Sequence, residues 1–235
     1  MCSCCACPFD EHAVHHVLCS PRNNSHGGRY DTHDALAREV LRLCKSVGLR
    51  GTLRCAGLLG DDPARGRFHD HRADLLVRGL RPDVAGVLGD VAVVHPVSGA
   101  GRPRPAGAAT AEGATVAAKE REKITNYGDL PAQHSYGFEP LCVETFGRFG
   151  ERFLAFLTEV SRYAVRHSDA MDNLVQGGQG EDESVEAYAG RLRDRWLCVL
   201  SLVRVRSLAL RLRGAVVDSA GRPGDRAALG AALFG

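Results

Sequence analysis

No apolar run in this 235-residue chain approaches the roughly 20 residues that a membrane-spanning helix needs. Stretches such as Leu197–Leu200 are only a few residues long. The first residues show no basic start followed by an apolar stretch, so no secretory signal is expected. Net charge is nearly absent as well: Lys+Arg 30 against Asp+Glu 28 leaves +2. That excludes a bulk polycation, and any nucleic-acid contact must use local patches. The sequence contains no G-x-x-x-x-G-K-[ST], no G-x-G-x-x-G and no G-x-S-x-G. A kinase, a nucleotide-driven motor, a dinucleotide-dependent oxidoreductase and an α/β-hydrolase are therefore unsupported. What remains, 44% hydrophobic, 25% charged and 6% aromatic, is the composition of a soluble folded chain. Its length suits one medium domain with appendages or two small domains.

Cysteine is what the chain has in quantity, and its distribution is uneven. Five of the nine Cys fall in the first nineteen residues, with His12, His15 and His16 among them and His26 just after. With no secretion signal, thiols or metal ligands are the better reading than disulfides. Residues 1–28 thus form a Cys/His module too short for a core of its own, which needs a metal to fold. Cys4-x2-Cys7, His15 and Cys19 have the ligand types and spacing of a closed tetrahedral zinc site, which is structural. Cys2, Cys5, His12 and His16 are neighbours that can substitute, and a Cys/His-rich tail without fixed metal is the plainer alternative.

The periodicity predicts the remaining elements. A helix capped by Asp31 or Thr32 runs through Leu36, Val40, Leu43, Cys44 and Val47 and ends at Gly48. A strand is expected within Gly51–Leu59, then a charged loop, Asp61–Asp74. Leu75–Val97 reads as a hairpin, with one arm at Arg81–Val84, a turn at Val87-Leu88-Gly89 and the other arm at Asp90–Val94. Ser98–Thr115 is Gly/Ala/Pro-rich loop. Helices are expected at Ala117–Tyr127 and Phe149–Val165, with a short strand, Phe138–Glu144, between them. Val185–Arg213 is a long helix with seven Arg against Glu186 and Asp194, although alternation after Val203 also fits a strand. The order implies an α/β or α+β core, helices on a small mixed sheet. The expected organisation is a zinc module at 1–28, a core domain at 29–166, a linker at 167–184 and an Arg-rich helical extension at 185–235.

Beyond the Cys/His module, four groups of residues are candidates for chemistry. Asp83 and Asp90, closing and opening the arms of a tight hairpin, can converge on one Mg²⁺, a cation that prefers hard oxygen ligands. Pro-Asp and Gly-Asp are equally ordinary turn chemistry. Lys119 and Lys123 can orient a water or stabilise charge on a phosphate; with Glu120 and Glu122 interleaved, a solvated helix face is the alternative. Glu39 and Glu144 can add metal ligands or be ordinary carboxylates. The Arg-rich helix can contact phosphates or simply be an exposed basic face. Cys142 has no nucleophile context.

Taken in order, these pieces resemble the C-terminal region of site-specific non-LTR retrotransposon polyproteins and related orphan proteins. The matching residues are Cys4-x2-Cys7…His15-x3-Cys19, Gly27-Gly28-Arg29…His33-Asp34-Ala35-Leu36, and Arg81-Pro82-Asp83. They continue through Asp90-Val91-Ala92-Val93-Val94-His95-Pro96, Lys123-x3-Tyr127 and Phe138-x-Pro140-Leu141-Cys142-Val143-Glu144-Thr145-Phe146-Gly147. The resemblance covers about residues 4–160. It implies a zinc knuckle followed by a restriction-like endonuclease core of the PD-(D/E)xK superfamily. Asp83 would be the first catalytic carboxylate and Asp90 the second. The Lys expected two residues after Asp90 is Ala92, which moves that role to Lys123. Glu39 matches the acidic residue of the first core helix; Tyr127 and Glu144 match positions without an assigned role. The Asp83–Asp90 interval is shorter than the usual pattern, and the chain has no reverse-transcriptase region.

The expected function is Mg²⁺- or Mn²⁺-dependent DNA cleavage by Asp83, Asp90, Lys123 and Glu39, with structural zinc on Cys4, Cys7, His15 and Cys19. The expected partner is nucleic acid, DNA in the first place, with no membrane, and the expected location is intracellular and nuclear. Two alternatives stand beside it: a catalytically dead nuclease fold that binds nucleic acid, and a zinc-stabilised protein-interaction domain.

Overall fold

A computed structural model of the chain describes residues 29–59, 72–96, 111–167 and 184–220. The zinc ligands expected at Cys4, Cys7, His15 and Cys19 lie outside the described residues, as does most of the expected linker. The elements follow in the order α1 (Arg29–Ser46), β1 (Arg50–Cys55), β2 (Ala73–Arg78), β3 (Gly86–Val94), α2 (Ala114–Tyr127), α3 (Leu130–Gln133), β4 (Tyr136–Glu144), α4 (Glu151–His167) and α5 (Val185–Ala220).

The four strands form one sheet in the order β1-β2-β3-β4, antiparallel across the first two pairs and parallel between β3 and β4. A parallel pair needs a crossover, and α2 with α3 supplies it. Alternate residues divide the sheet between two layers. Leu75, Val77, Val87, Val91, Leu141 and Val143 pack against Leu36, Val40 and Leu43 of α1, Phe153, Phe156 and Leu157 of α4, and Trp196 and Leu200 of α5. Leu76 and Leu88 face the other way onto Tyr127 of α2, and Ala92, Val94 and Cys142 onto Val116. The protein is thus mixed α/β, a small four-stranded mixed sheet flanked by helices. The expected helical extension is part of this core, since Trp196 and Leu200 are buried in it. It remains helical past Val203, so the strand alternative there is not realised.

The expected hairpin is present but its arms and turn lie elsewhere. Val87-Leu88-Gly89 is the interior of β3, and the connection is residues 79–85, so Asp83 sits in the turn. Gly89 is there for packing. A Cβ on it would lie 2.9 Å from Leu75 Cδ1 and 3.0 Å from Leu141 Cδ1, both fully buried side chains. The first residues of β2, expected to be loop as far as Asp74, are already strand from Ala73.

Two buried carboxylates tie the crossover to its neighbours. Glu144, at the end of β4, accepts the backbone N–H of Val116 in the first turn of α2 (3.4 Å). Glu120 of α2 accepts that of Arg152 in the first turn of α4 (3.1 Å). Both place negative charge where a helix start has unpaired donors. A third buried carboxylate, Glu139 of β4, pairs with Arg81 (2.7 Å) and Arg152 (3.2 Å), and Arg81 also holds Glu159 of α4 (2.6 Å). That network pins the 79–85 turn to β4 and α4.

Candidate active site

The register pairs Leu75 with Gly89, so the next residues along, Asp74 on β2 and Asp90 on β3, stand opposite one another. Both share the sheet face of Leu76 and Leu88, beneath α2. There Lys123 reaches down to Asp90, Nζ to Oδ2 2.6 Å, with both side chains largely buried (13% and 14% exposed). Asp74 Oδ2 accepts the backbone N–H of Val91 (2.7 Å) and lies 3.0 Å from Nε2 of His33, on α1. His33 Nδ1 lies 3.0 Å from Asp34 Oδ1, and Arg54 donates to Asp34 Oδ2 (3.1 Å). Arg54 holds φ 55°, the left-handed conformation that a non-glycine residue rarely adopts. A cavity of about 230 Å³ opens beside this chain, lined by His33, Asp34, Leu53, Arg54 and Asp74.

The electrostatics separate the two carboxylates. Burial pushes Asp90 up to about 6; Lys123 opposes that shift and the neighbouring Asp74 adds to it. Burial also acts to raise Asp74, but His33, a hydrogen bond with Asp90 and the Val91 N–H outweigh it and hold it below the ordinary carboxylate value. The pair is best described as two interacting acids, one of which keeps a proton longer than the other. Burial works against charging His33, yet Asp74 and Asp34 outweigh it and raise its pKa. Tyr127 closes the site. Its hydroxyl donates to the carbonyl of Arg72 (3.1 Å), and burial, then the charges of Asp90 and Asp74, make it harder to ionise.

Among the residues expected from sequence, Asp90 and Lys123 meet. Asp83 does not join them. It is exposed in the turn before Gly86, and Asp90 lies four residues further along an extended strand, about 13 Å at ~3.3 Å per residue. Glu39 is also elsewhere: it is paired with Arg42 on its own helix (2.5 Å). Six residues past His33, it stands about 240° round from it. Glu144 caps α2, as above. Lys119 is paired with Glu122 (2.5 Å). The Arg-rich α5 packs in the layer opposite α2. Cys142 is buried and its thiol is pushed up to about 12, which leaves it without nucleophile character.

The residues that sequence reasoning missed are Asp74 and the part played by His33. Asp74 stands immediately before the apolar run Leu75-Leu76-Val77 and sixteen residues before Asp90. Two strands joined by a connection of seven residues bring such positions face to face.

The donor set fits a hard divalent cation. Mg²⁺ keeps several waters and takes one or two carboxylates plus substrate phosphates, rather than a full protein cage. Two adjacent half-buried carboxylates with one Lys could answer that description. Among the described residues there is no group of three or more His, Cys, Asp or Glu arranged to hold a metal. No protein-family model and no curated protein matches the chain. No helix among the described residues is long and apolar enough to cross a membrane.

Proposed function

We propose that the protein is a metal-dependent nuclease, with Asp74 and Asp90 as cation ligands and Lys123 beside them. The observation that carries this reading is the facing of two half-buried carboxylates on paired strands, with a half-buried Lys ion-paired to one of them. Asp74 takes the place that the sequence suggested for Asp83. The order of elements, a helix and three strands followed by a crossover to a parallel fourth, supports a restriction-like core of the PD-(D/E)xK kind. The ordered resemblance to retrotransposon endonuclease regions supports DNA as the substrate, and with it a nuclear location.

Mg²⁺ or Mn²⁺, when bound, supplies a Lewis acid for a phosphodiester oxygen. The chain's own contribution is orientation and charge. Asp74 and Asp90 offer oxygens from two rigid strands. Lys123 Nζ, fixed by Asp90, puts a positive charge where it can orient an attacking water or stabilise the charge that develops on phosphate. The sheet face and Tyr127 cover part of the carboxylates, which strengthens these interactions. The Cys4, Cys7, His15 and Cys19 module is proposed to hold a structural zinc that anchors nucleic acid.

Plasmid nicking by the purified, zinc-loaded chain tests the reading. Cleavage is expected with Mg²⁺ or Mn²⁺ and not in EDTA. Asp74→Asn and Asp90→Asn are each expected to lose at least about 100-fold in rate, the scale of losing an electrostatic contact at the reacting group. Asp83→Asn is expected to cut like the wild type. Loss of activity in Asp83→Asn, or retention in Asp90→Asn, would overturn the assignment. DNA retardation without cleavage would favour a fold kept for binding, and neither would favour a protein-interaction domain.

A further inference from the structure

We infer that His33 is a positioning residue that fixes which oxygen of Asp74 meets the cation. The inference rests on the reading of Asp74 and Asp90 as cation ligands. Asp74 Oδ2 is held twice, by the Val91 N–H at 2.7 Å and by His33 Nε2 at 3.0 Å. Rotating the carboxylate would give up both partners, so Oδ1 is the oxygen left for the cation, which also has to displace the hydrogen bond that Asp74 shares with Asp90. His33 does not ligate; it holds the ligand. A backbone N–H alone leaves the carboxyl plane free to turn about that single bond. The second donor removes that freedom.

The ring is itself held. Its Nδ1 lies 3.0 Å from Asp34 Oδ1, and Asp34 is tied by Arg54 at 3.1 Å. Carboxylate oxygens accept, so the ring nitrogen that faces Asp74 is the one that donates to it. This chain of contacts runs from β1, through two consecutive residues of α1, to β2, and so joins three elements around one ligand. Hydrogen-bond partners of this kind orient metal-ligating side chains, and their loss commonly weakens metal binding by about 10–100-fold. The left-handed conformation of Arg54 belongs to the same arrangement, because it stands at the point where β1 must present a cation to Asp34.

The experiment is Mn²⁺ binding to the full-length, zinc-loaded chain, followed by electron paramagnetic resonance, with variants that separate the two ring nitrogens. In His33→Gln the side-chain amide nitrogen occupies the place of Nε2 and can still donate to Asp74. In His33→Asn it matches Nδ1 and can reach Asp34 only. Gln is expected to bind Mn²⁺ within about 3-fold of the wild type, and Asn and Ala to bind about 10–100-fold more weakly. Thermal unfolding in EDTA shows whether each variant is folded; should Ala unfold, the Gln and Asn pair decides alone. Wild-type affinity in the Asn variant would overturn the inference. So would a loss in Gln as large as in Asn, which would make the ring something other than a donor to Asp74. Wild-type protein that binds no Mn²⁺, or binds it undiminished in Asp90→Asn, would overturn the cation site itself, an outcome distinct from either.

Discussion

Glu120 illustrates how one side chain can connect two helices. It is 5% exposed, projects from α2, and its Oε1 accepts the N–H of Arg152 at the start of α4. A Cβ on Gly150 would fall 2.0 Å from that oxygen, so the approach depends on glycine at this position. Burial raises the Glu120 pKa; the backbone N–H groups of Arg152 and Phe153 pull the other way without cancelling it. Burial thus disfavours the charge, while the acceptor oxygen still satisfies the Arg152 N–H. Glu120→Gln, which keeps an oxygen there, is expected to change stability by less than about 1 kcal/mol. Glu120→Ala is expected to cost about 1–3 kcal/mol, because it leaves the start of α4 unsatisfied in a buried place. Chemical denaturation of the two variants checks this, and equal losses would show that the charge matters instead. Residue roles of this kind were only partly legible in the sequence. Glu120 read as one of a set of interleaved surface charges, because nothing local marks a carboxylate that caps a helix thirty residues away. Asp90 and Lys123 were legible as chemistry-bearing residues, but their partner was not. Asp83 stands in a Pro-Asp pair, a recognisable turn signal, whereas Asp74 lies where a charged loop passes into a strand without any turn residue to mark the change.

Among the elements, the helices were the readable part. Leu36, Val40, Leu43 and Cys44 recur with the helical period and are all buried in the core. In α4, Phe153, Phe156, Leu157 and Val160 do the same. The strands were harder, because β3 is buried over most of its length and carries a continuous apolar pattern interrupted by Gly89. A glycine within such a run has two readings: a turn, or a place where neighbours leave no room for a side chain. The structure selects the second. Gly89 lies between Leu75 on the antiparallel side and Leu141 on the parallel side. Gly89→Val is therefore expected to destabilise the protein by about 1–3 kcal/mol through overpacking, and to disturb the adjacent Asp90. A turn glycine with open space around it would tolerate the change far better if its φ were negative. Thermal unfolding of Gly89→Val beside Gly51→Val would separate strand from turn poorly, since Gly51 is also crowded by Leu41 and the Leu76 carbonyl. Gly190, where an added Cβ would meet nothing within 4 Å, is the better reference.

For the whole molecule, the site imposes a cost that a bound cation would remove, and pH exposes it. Besides Tyr127, which stays protonated throughout, two groups there hold protons more tightly in the folded state than in the unfolded chain. Asp90 moves from the ordinary 3.8 up to about 6, mainly through burial, and His33 moves above its ordinary 6.5 through Asp74 and Asp34. Wherever the folded state binds more protons than the unfolded one, stability falls as pH rises. The Asp90 contribution is lost between about pH 4 and 6, and that of His33 as pH rises above 6.5 through its folded value. Asp74 and Asp34 act in the opposite sense, but only below their ordinary 3.8, outside this window. In EDTA, wild-type Tm is therefore expected to fall relative to that of Asp90→Asn as pH is raised from about 4 to 7. A cation competes with the proton for the same oxygens, so millimolar Mg²⁺ should restore Tm near neutral pH and do little near about pH 5. Asp90→Asn should show no such response. A wild-type Tm that rises over this range relative to the variant, or an Mg²⁺ effect shared by both, would mean that Asp90 is not the group where folding, protonation and cation binding meet.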